Sequence, residues 1–329
     1  MLSYDGIMKY TYYEGTSKII NLSTSIGKLL GIVDSTYLRT PTAKLRKANR
    51  IKSIQSSLWI EGNSLNEHQV SDIIENRKVK GSPKDILEVK NAIGVYESLN
   101  DFQFDKIESY LNAHQVLMKG LVNHPGTFRT KGVGVFKGKE IAHLAPPAWN
   151  VKNLMNELFE YLKTNDDNLI IKSCVFHYEM EFIHPFMDGN GRMGRLWQTV
   201  ILMNENPVFE YLPIEHEIKT HQKLYYDALS LSDKAGVCTI FVEFMLEKIE
   251  SSLISLISGQ RNNLNDEQRI EYFVSHFKGK DFARKDYLDM FKEISVATAT
   301  RDMRKGIQKG YWQKIGDNRT TRYEINSKE

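Results

Sequence analysis

A chain of 329 residues with 41% apolar and 26% charged residues has an ordinary globular composition, which excludes a disordered or collagen-like chain. A formal net charge of +3 implies no polyanion partner by itself, and two cysteines, Cys174 and Cys238, exclude a disulfide framework or a cysteine-rich zinc site. The length calls for two or three packed units. Residues Met1 to Thr16 lack the apolar stretch of a secretory signal and no later run reaches membrane-span length, so a cytoplasmic protein without a membrane partner is expected. Both cysteines lie in apolar periodic stretches and read as buried free thiols.

In chain order, Leu45 to Leu58 is expected to be a helix. Leu45, Ile51, Ile54 and Leu58 recur at mixed three- and four-residue steps beside a basic face of Lys44, Arg46, Lys47, Arg50 and Lys52. Gly62-Asn63 supplies the stop and leaves Glu61 on the last turn, where the helix dipole is already negative. Taken alone, that Glu reads as a solvated surface charge. Lys80-Gly81-Ser82-Pro83 breaks the pattern before a helix over Lys84 to Asn100, and further helices are expected over Lys106 to Lys119, Val151 to Thr164 and Asn168 to Ile183. Between the first two of these three, Gly132 to Ile141 alternates Gly with apolar residues. It reads as a short β-hairpin turning at Lys137-Gly138-Lys139, ended by Ala145-Pro146-Pro147-Ala148. Its edge suits an added extended peptide, and a purely structural hairpin is an equal reading.

Helices continue over Lys219 to Leu231 and Val237 to Ile257, and polar Ser258 to Asn265 reads as a domain boundary. Beyond it, Asp266 to Phe277, Arg284 to Phe291 and Ser295 to Lys309 are expected helices, the last N-capped by Ser295. Tyr311 to Ile315 and Thr321 to Ile325 form a hairpin around Gly316 to Arg319. Residues 265–329 carry 14 Lys and Arg against 11 Asp and Glu, so the basic excess of the chain lies here.

The chemistry concentrates between two core helices. Ile171, Cys174, Val175, Tyr178 and Phe182 mark the helix before His184, Pro185 ends it, and a second helix starts near Arg192 and runs through Leu196, Val200 and Met203. The loop between them lies at a helix amino end, where free N–H groups and the dipole favour anions. Gly189 and Gly191 let the main chain turn tightly against a ligand. Asp188 can hold a divalent ion bridging phosphate oxygens, Arg192 and Arg195 can face the same anion, and His184 can take a proton near neutral pH. Singly, these residues have bland readings as a packed histidine, a turn and solvated arginines. Together they meet the requirements of a phosphoryl-type site.

The twelve residues His184-Pro185-Phe186-Met187-Asp188-Gly189-Asn190-Gly191-Arg192-Met193-Gly194-Arg195 resemble the Fic signature at every defining position. The resemblance covers residues 45 to 255 in outline and implies a mainly α fold: a Fic-type helical core with a β-hairpin flap. It further implies a nucleotidyltransferase that moves AMP from ATP onto a Tyr, Thr or Ser hydroxyl of a protein, itself included. On this resemblance His184 deprotonates the hydroxyl and Asp188 binds Mg²⁺. Gly189, Asn190 and Gly191 cradle the α- and β-phosphates, and Arg192 and Arg195 hold the β- and γ-phosphates. The hairpin, with Val133, Gly134, Val135 and Phe136, resembles the flap that aligns the target. Tyr225-Tyr226 matches the pair preceding the adenine-pocket residues, although Asp233 stands where some members carry Asn.

Ser57-x-x-x-Glu61-Gly62 resembles the family's inhibitory motif, which implies that Glu61 pairs with Arg195 in the place of the γ-phosphate; Ser57 would cap or bond within its own helix. Some inhibited members also remove AMP, using the same Glu to orient water, and that direction stays open. The C-terminal segment resembles a winged helix-turn-helix. Ser295 to Met303 would open its recognition helix, Arg301, Arg304, Lys305 and Lys309 would face outward, and Arg319 and Arg322 would sit on the wing, a face suited to DNA. Packing against the transferase or homodimerisation is an equal reading. The domains so expected are 1–100 with the inhibitory helix, 101–258 catalytic and 265–329 winged helix. Competing readings are a nucleotide-sensing DNA-binding transcription regulator, and transfer of phosphocholine or phosphate by the same motif.

Overall fold

The computed structural model describes residues 12–34, 41–137, 140–261, 264–292, 294–316 and 321–326, without the side chains of 134–144, 260 and 261. The described chain is mainly helical and divides into two compact units, residues 1–30 with 42–253 and residues 31–41 with 254–329. No described helix is long and apolar enough to cross a membrane.

The first unit carries α1 (Ser17–Asp34) as far as Leu30, α2 (Ala43–Ile60), α3 (Glu67–Ile74), α4 (Pro83–Glu97), α5 (Ile107–Leu117), β1 (Gly134–Lys137), β2 (Glu140–Leu144) and α6 (Val151–Thr164). It continues with α7 (Leu169–Ile183), α8 (Asn190–Glu205), α9 (Ile214–Thr220), α10 (Gln222–Ala235) and, as far as Leu253, α11 (Thr239–Arg261). Local chemistry sets the helix ends. The Thr42 hydroxyl accepts from Leu45 N at the start of α2, Ser82 and Pro83 open α4, and the Asn168 side chain accepts from Ile171 N at α7. Gly62, at φ 91°, ends α2 as the spacing predicts.

Three expectations need correction. The sequence reading has no α1 or α3, although Asn66 and Gln69 form a capping box at α3 that is visible in the sequence. The helix expected over 219–231 is two helices, broken at His221, whose ψ of 32° leaves the helical range. The expected linker at 258–265 begins as helix: α11 runs to Arg261, because one Gly costs about 1 kcal/mol in a helix and a long packed helix absorbs it. The division between units falls earlier, after Leu253.

α7 and α8 are the buried centre of the first unit. Tyr110 of α5 meets Phe159, Phe176, Phe186 and Trp197 edge-on or stacked, with ring centroids 5.1 to 6.0 Å apart, so Phe186 of the loop is anchored in an aromatic core. Gly194 lets α8 approach α7: a Cβ there would lie 2.8 Å from His177. β1 and β2 form a two-stranded antiparallel sheet, Gly134 opposite Leu144 and Lys137 opposite Glu140, with an irregularity between Val135 and Phe136. The expected turn residues Gly138 and Lys139 lie outside the described residues. Both cysteines are buried free thiols.

The second unit holds α12 (Asp266–His276), β3 (Asp281–Phe282), α13 (Arg284–Met290), α14 (Val296–Gln308), β4 (Trp312–Ile315) and β5 (Arg322–Ile325). Its strands form an antiparallel sheet ordered β3-β5-β4 over a core of Phe273, Phe282, Tyr287, Met303 and Trp312. Ser295 caps α14 as expected. Of the basic residues expected on this face, Arg301, Arg304, Lys309 and Arg322 are exposed and Lys305 partly so, but three of them are paired with carboxylates. Lys305 pairs with Asp266 at 2.9 Å, Lys309 with Glu267, and Arg322 with Asp281, because α12 and β3 present carboxylates to them. Arg301 and Arg304 remain exposed, and Arg319 lies outside the described residues.

Candidate active site

The turn between α7 and α8 is built by backbone chemistry. α7 ends at Ile183, and His184 takes left-handed angles (φ 50°, ψ 61°), costing about 1–3 kcal/mol for a residue with a Cβ. Gly189 has φ 87°, and a Cβ on it would meet Met118 Sδ at 2.7 Å, so both the angle and the space require glycine. The first main-chain bond of α8 runs from Met193 N to Gly189 O, so the amides of Asn190, Gly191 and Arg192 precede any intrahelical acceptor.

The carbonyl oxygens of this turn are drawn away from those amides by buried donors. Arg129, 3% exposed, donates from Nε to His184 O and from Nη2 to Ile183 O, and its main-chain N–H donates to Pro185 O. Asn190 Nδ2 donates to Phe186 O while its Oδ1 accepts from Phe186 N. His114 Nδ1 accepts from Gly126 N at 2.8 Å, so the hydrogen is on Nε2, which donates to Asp188 O at 3.1 Å. Burial lowers the His114 pKa to about 4, which keeps this ring neutral, and the ring stacks 3.6 Å from Phe186. Neither Arg129 nor His114 was singled out in the sequence, because what they hold is main chain and no side-chain motif records it.

The expected side chains converge on the turn. His184 Nδ1 lies 3.3 Å from Glu181 O, an oxygen that can only accept, which places the hydrogen on Nδ1 and the lone pair on Nε2. Asp188, half exposed, accepts at Oδ1 from Arg192 Nη2 and from Gly189 N. Arg192 is buried between Asp188 and Glu88, the latter at 3.2 Å, and its Nε is buried with no acceptor among the described residues. Glu88 was not anticipated either. It also accepts from Asn63 Nδ2 at 2.8 Å, which ties the first arginine to the residue that follows Glu61-Gly62.

Arg195, almost wholly buried, donates from Nη2 to Glu61 Oε1 at 2.7 Å and to Ser57 O, and from Nε to the Ser57 hydroxyl. Burial works against its charge, but Glu61, Tyr225 and Glu181 together outweigh burial and hold the guanidinium above its ordinary range. Ser57 thus serves α8 and is not a bond within its own helix: it is buried and faces Arg195. The Glu61 carboxylate also lies against the main chain of Gly191, where an added Cβ would stand 2.3 Å from Oε1. One carboxylate therefore pairs with the second arginine and lies beside Gly191.

The two tyrosines separate. Tyr225 is buried, and its hydroxyl donates to His177 Nε2 at 3.1 Å while His177 Nδ1 donates to Gln198 Oε1, whereas Tyr226 is 44% exposed. Burial lowers the His177 pKa to about 3. Asp233 accepts from the Tyr178 hydroxyl at 2.7 Å. Val133 and the main chain of Gly134, Val135 and Phe136 form the first strand edge of the hairpin and its approach.

The Fic/DOC family model matches residues 104–202. A solved Fic-1 structure from C. elegans shares the fold, at 21% identity, 74% of each chain covered and TM-score 0.61. A crystal structure of a Fic family protein from Desulfovibrio desulfuricans G20 is 35% identical over 97% of this chain and 99% of that one, at TM-score 0.73. The chain belongs to the Fic family. It is 28% identical over 223 residues to "Protein adenylyltransferase Fic" of Aedes aegypti and 28% identical over 227 residues to the same-named protein of Culex quinquefasciatus, covering 64% of this chain in each case. The matches span 42% and 43% of those curated relatives, less than half of their length.

Proposed function

We propose that the chain is a protein adenylyltransferase, transferring AMP from ATP to a protein hydroxyl and restrained by Glu61. The observation that carries this reading is the position of the Glu61 carboxylate, paired with Arg195 and beside Gly191 in the first turn of α8, where charge and the helix amino end both favour an anion. A phosphate group fits the same donors. With Glu61 displaced, His184 Nε2 accepts the hydroxyl proton as the oxygen attacks the α-phosphorus. The bond to the bridging oxygen of pyrophosphate breaks, and Arg192 and Arg195 hold the departing charge. Gly189, Asn190 and Gly191 would line the phosphate side of the turn, and the exposure of Tyr226 leaves it free to meet the nucleoside.

The residues present fit Mg²⁺ bound with substrate. Asp188 offers a hard carboxylate oxygen, no described cluster of three ligand side chains competes with it, and the buried unpaired Arg192 Nε points to an anion completing the site. Bound there, the ion neutralises phosphate charge. Residues 1–100 then form the region with the inhibitory helix, 101–258 the catalytic domain and 265–329 a winged helix.

Incubating the Glu61→Gly protein with Mg·ATP should add the mass of one AMP, and His184→Ala in that background should slow transfer by about 10²- to 10⁴-fold with ATP still bound. No mass gain in Glu61→Gly refutes the activity. Loss of AMP from a premodified target with wild-type protein would assign the reverse direction. Exposed Arg301 and Arg304 on the capped helix α14 support a phosphate-contacting face, and no gel shift of duplex DNA at roughly 50 mM salt would remove it.

A further inference from the structure

The hydrogen bonding of Arg129 is unusual for a buried cation. No carboxylate among the described residues pairs with it, and all its described partners are main-chain oxygens from three separate segments. Nη1 donates to Lys131 O at 2.9 Å, three residues before β1. Nη2 donates to Pro146 O, two residues after β2, and to Ile183 O at 3.2 Å. Nε donates to His184 O at 2.7 Å. Burial lowers its pKa, and the carbonyl dipoles are what compensate the charge.

We propose that Arg129 is a positioning residue that fixes the catalytic imidazole relative to the acceptor strand. Both feet of the hairpin and the main chain of His184 hang from one planar guanidinium. The fork sets their mutual spacing, and with it the distance from His184 Nε2 to a hydroxyl carried on a peptide paired with the flap. The left-handed geometry of His184, strained for a residue with a Cβ, is kept by such an external hold. Lysine cannot replace it: a single ammonium cannot reach four oxygens spread over a plane. The inference rests on the proposed roles of His184 and the flap, and it leaves the nucleotide cradle at Gly189 to Arg195 untouched.

The test compares Glu61→Gly with Glu61→Gly/Arg129→Lys. ATP titration should give dissociation constants within about twofold, since Arg129 touches none of the phosphate-facing groups. Transfer should show an unchanged KM for ATP and a kcat lower by about tenfold or more, the rate loss expected of a misplaced base. Hydrogen exchange at the β1 and β2 amides and at those of Ile183 and His184 should quicken, and exchange in α8 should stay as it was. Equal kcat and equal protection in both proteins would overturn the inference, as would a loss confined to ATP affinity. Exchange reads the brace without any chemistry. An inactive Glu61→Gly protein therefore counts against the transferase reading, and the Arg129 hold is still decided by exchange.

Discussion

The turn between α7 and α8 and the helix α2 laid over it are secured differently. The turn is fixed by buried donors that capture its carbonyl oxygens, from Arg129, Asn190 and His114, above a floor where His177 bridges Gln198 and Tyr225. α2 presents a buried face that is largely polar: Asn49, Ser53, Gln55, Ser56 and Ser57 are all buried beside Ile51, Ile54 and Leu58. Its bonds form a ladder, Asn49 to Tyr211 O, Ser53 to Glu215, Lys219 to Gln55, and Ser57 and Glu61 to Arg195. A side-chain hydrogen bond contributes only about 0.5–1.5 kcal/mol net in either place, but the bonds of the turn are backed by Phe186 packed on Tyr110 and His114, buried apolar area that water cannot replace. The difference teaches that the turn is fixed by its own buried surroundings, while α2 is held over it by bonds of a kind that can be released, as the proposed restraint requires.

The comparison can be broken or sharpened at three points, from the largest expected effect to the smallest. Removing Glu88 should hurt most, because it strands the buried Arg192 guanidinium: Glu88→Ala should lose about 3 kcal/mol in urea unfolding, and a loss below half of that would mean Asp188 alone neutralises Arg192. Acid comes next. The His177 pKa is depressed from 6.5 to about 3, so the unfolded chain binds a proton that the folded chain refuses. Stability should therefore fall as pH drops below 6.5, by about 1.4 kcal/mol per pH unit for this one proton. His177→Gln should flatten that slope, and an unchanged slope would deny the neutral floor. The mildest change is Ser53→Ala, which frees the buried Glu215 carboxylate from one donor; Tyr96 still donates to it. Stability should drop by about 1 kcal/mol, and basal transfer of AMP should rise a few-fold if α2 restrains the site. A fall in transfer would show that α2 supports the turn.

Glu61 shows how chain order can mislead. At the end of a helix it reads as a solvated charge, and only resemblance redirects it to Arg195, where the structure places it. The C-terminal unit errs the other way. Lys305 and Lys309 lie on the polar side of α14 in sequence, but α12 packs beside that side with Asp266 and Glu267. Periodicity assigns a residue to one side of its helix and says nothing about which neighbour waits there.

The sequence by itself determined the helical class, the turn at 184–195 and its residues, and the ends of α2, α7 and α14, because these depend on contacts a few residues apart: caps, Pro185, Gly62 and Gly189. Tertiary structure alone decided that Glu61 covers Gly191, that Glu88 holds Arg192, and that Arg129 and His114 fix the main chain of the catalytic turn. Those bonds join residues far apart in the chain, and several end on carbonyl oxygens, which every residue carries and no side-chain pattern can announce.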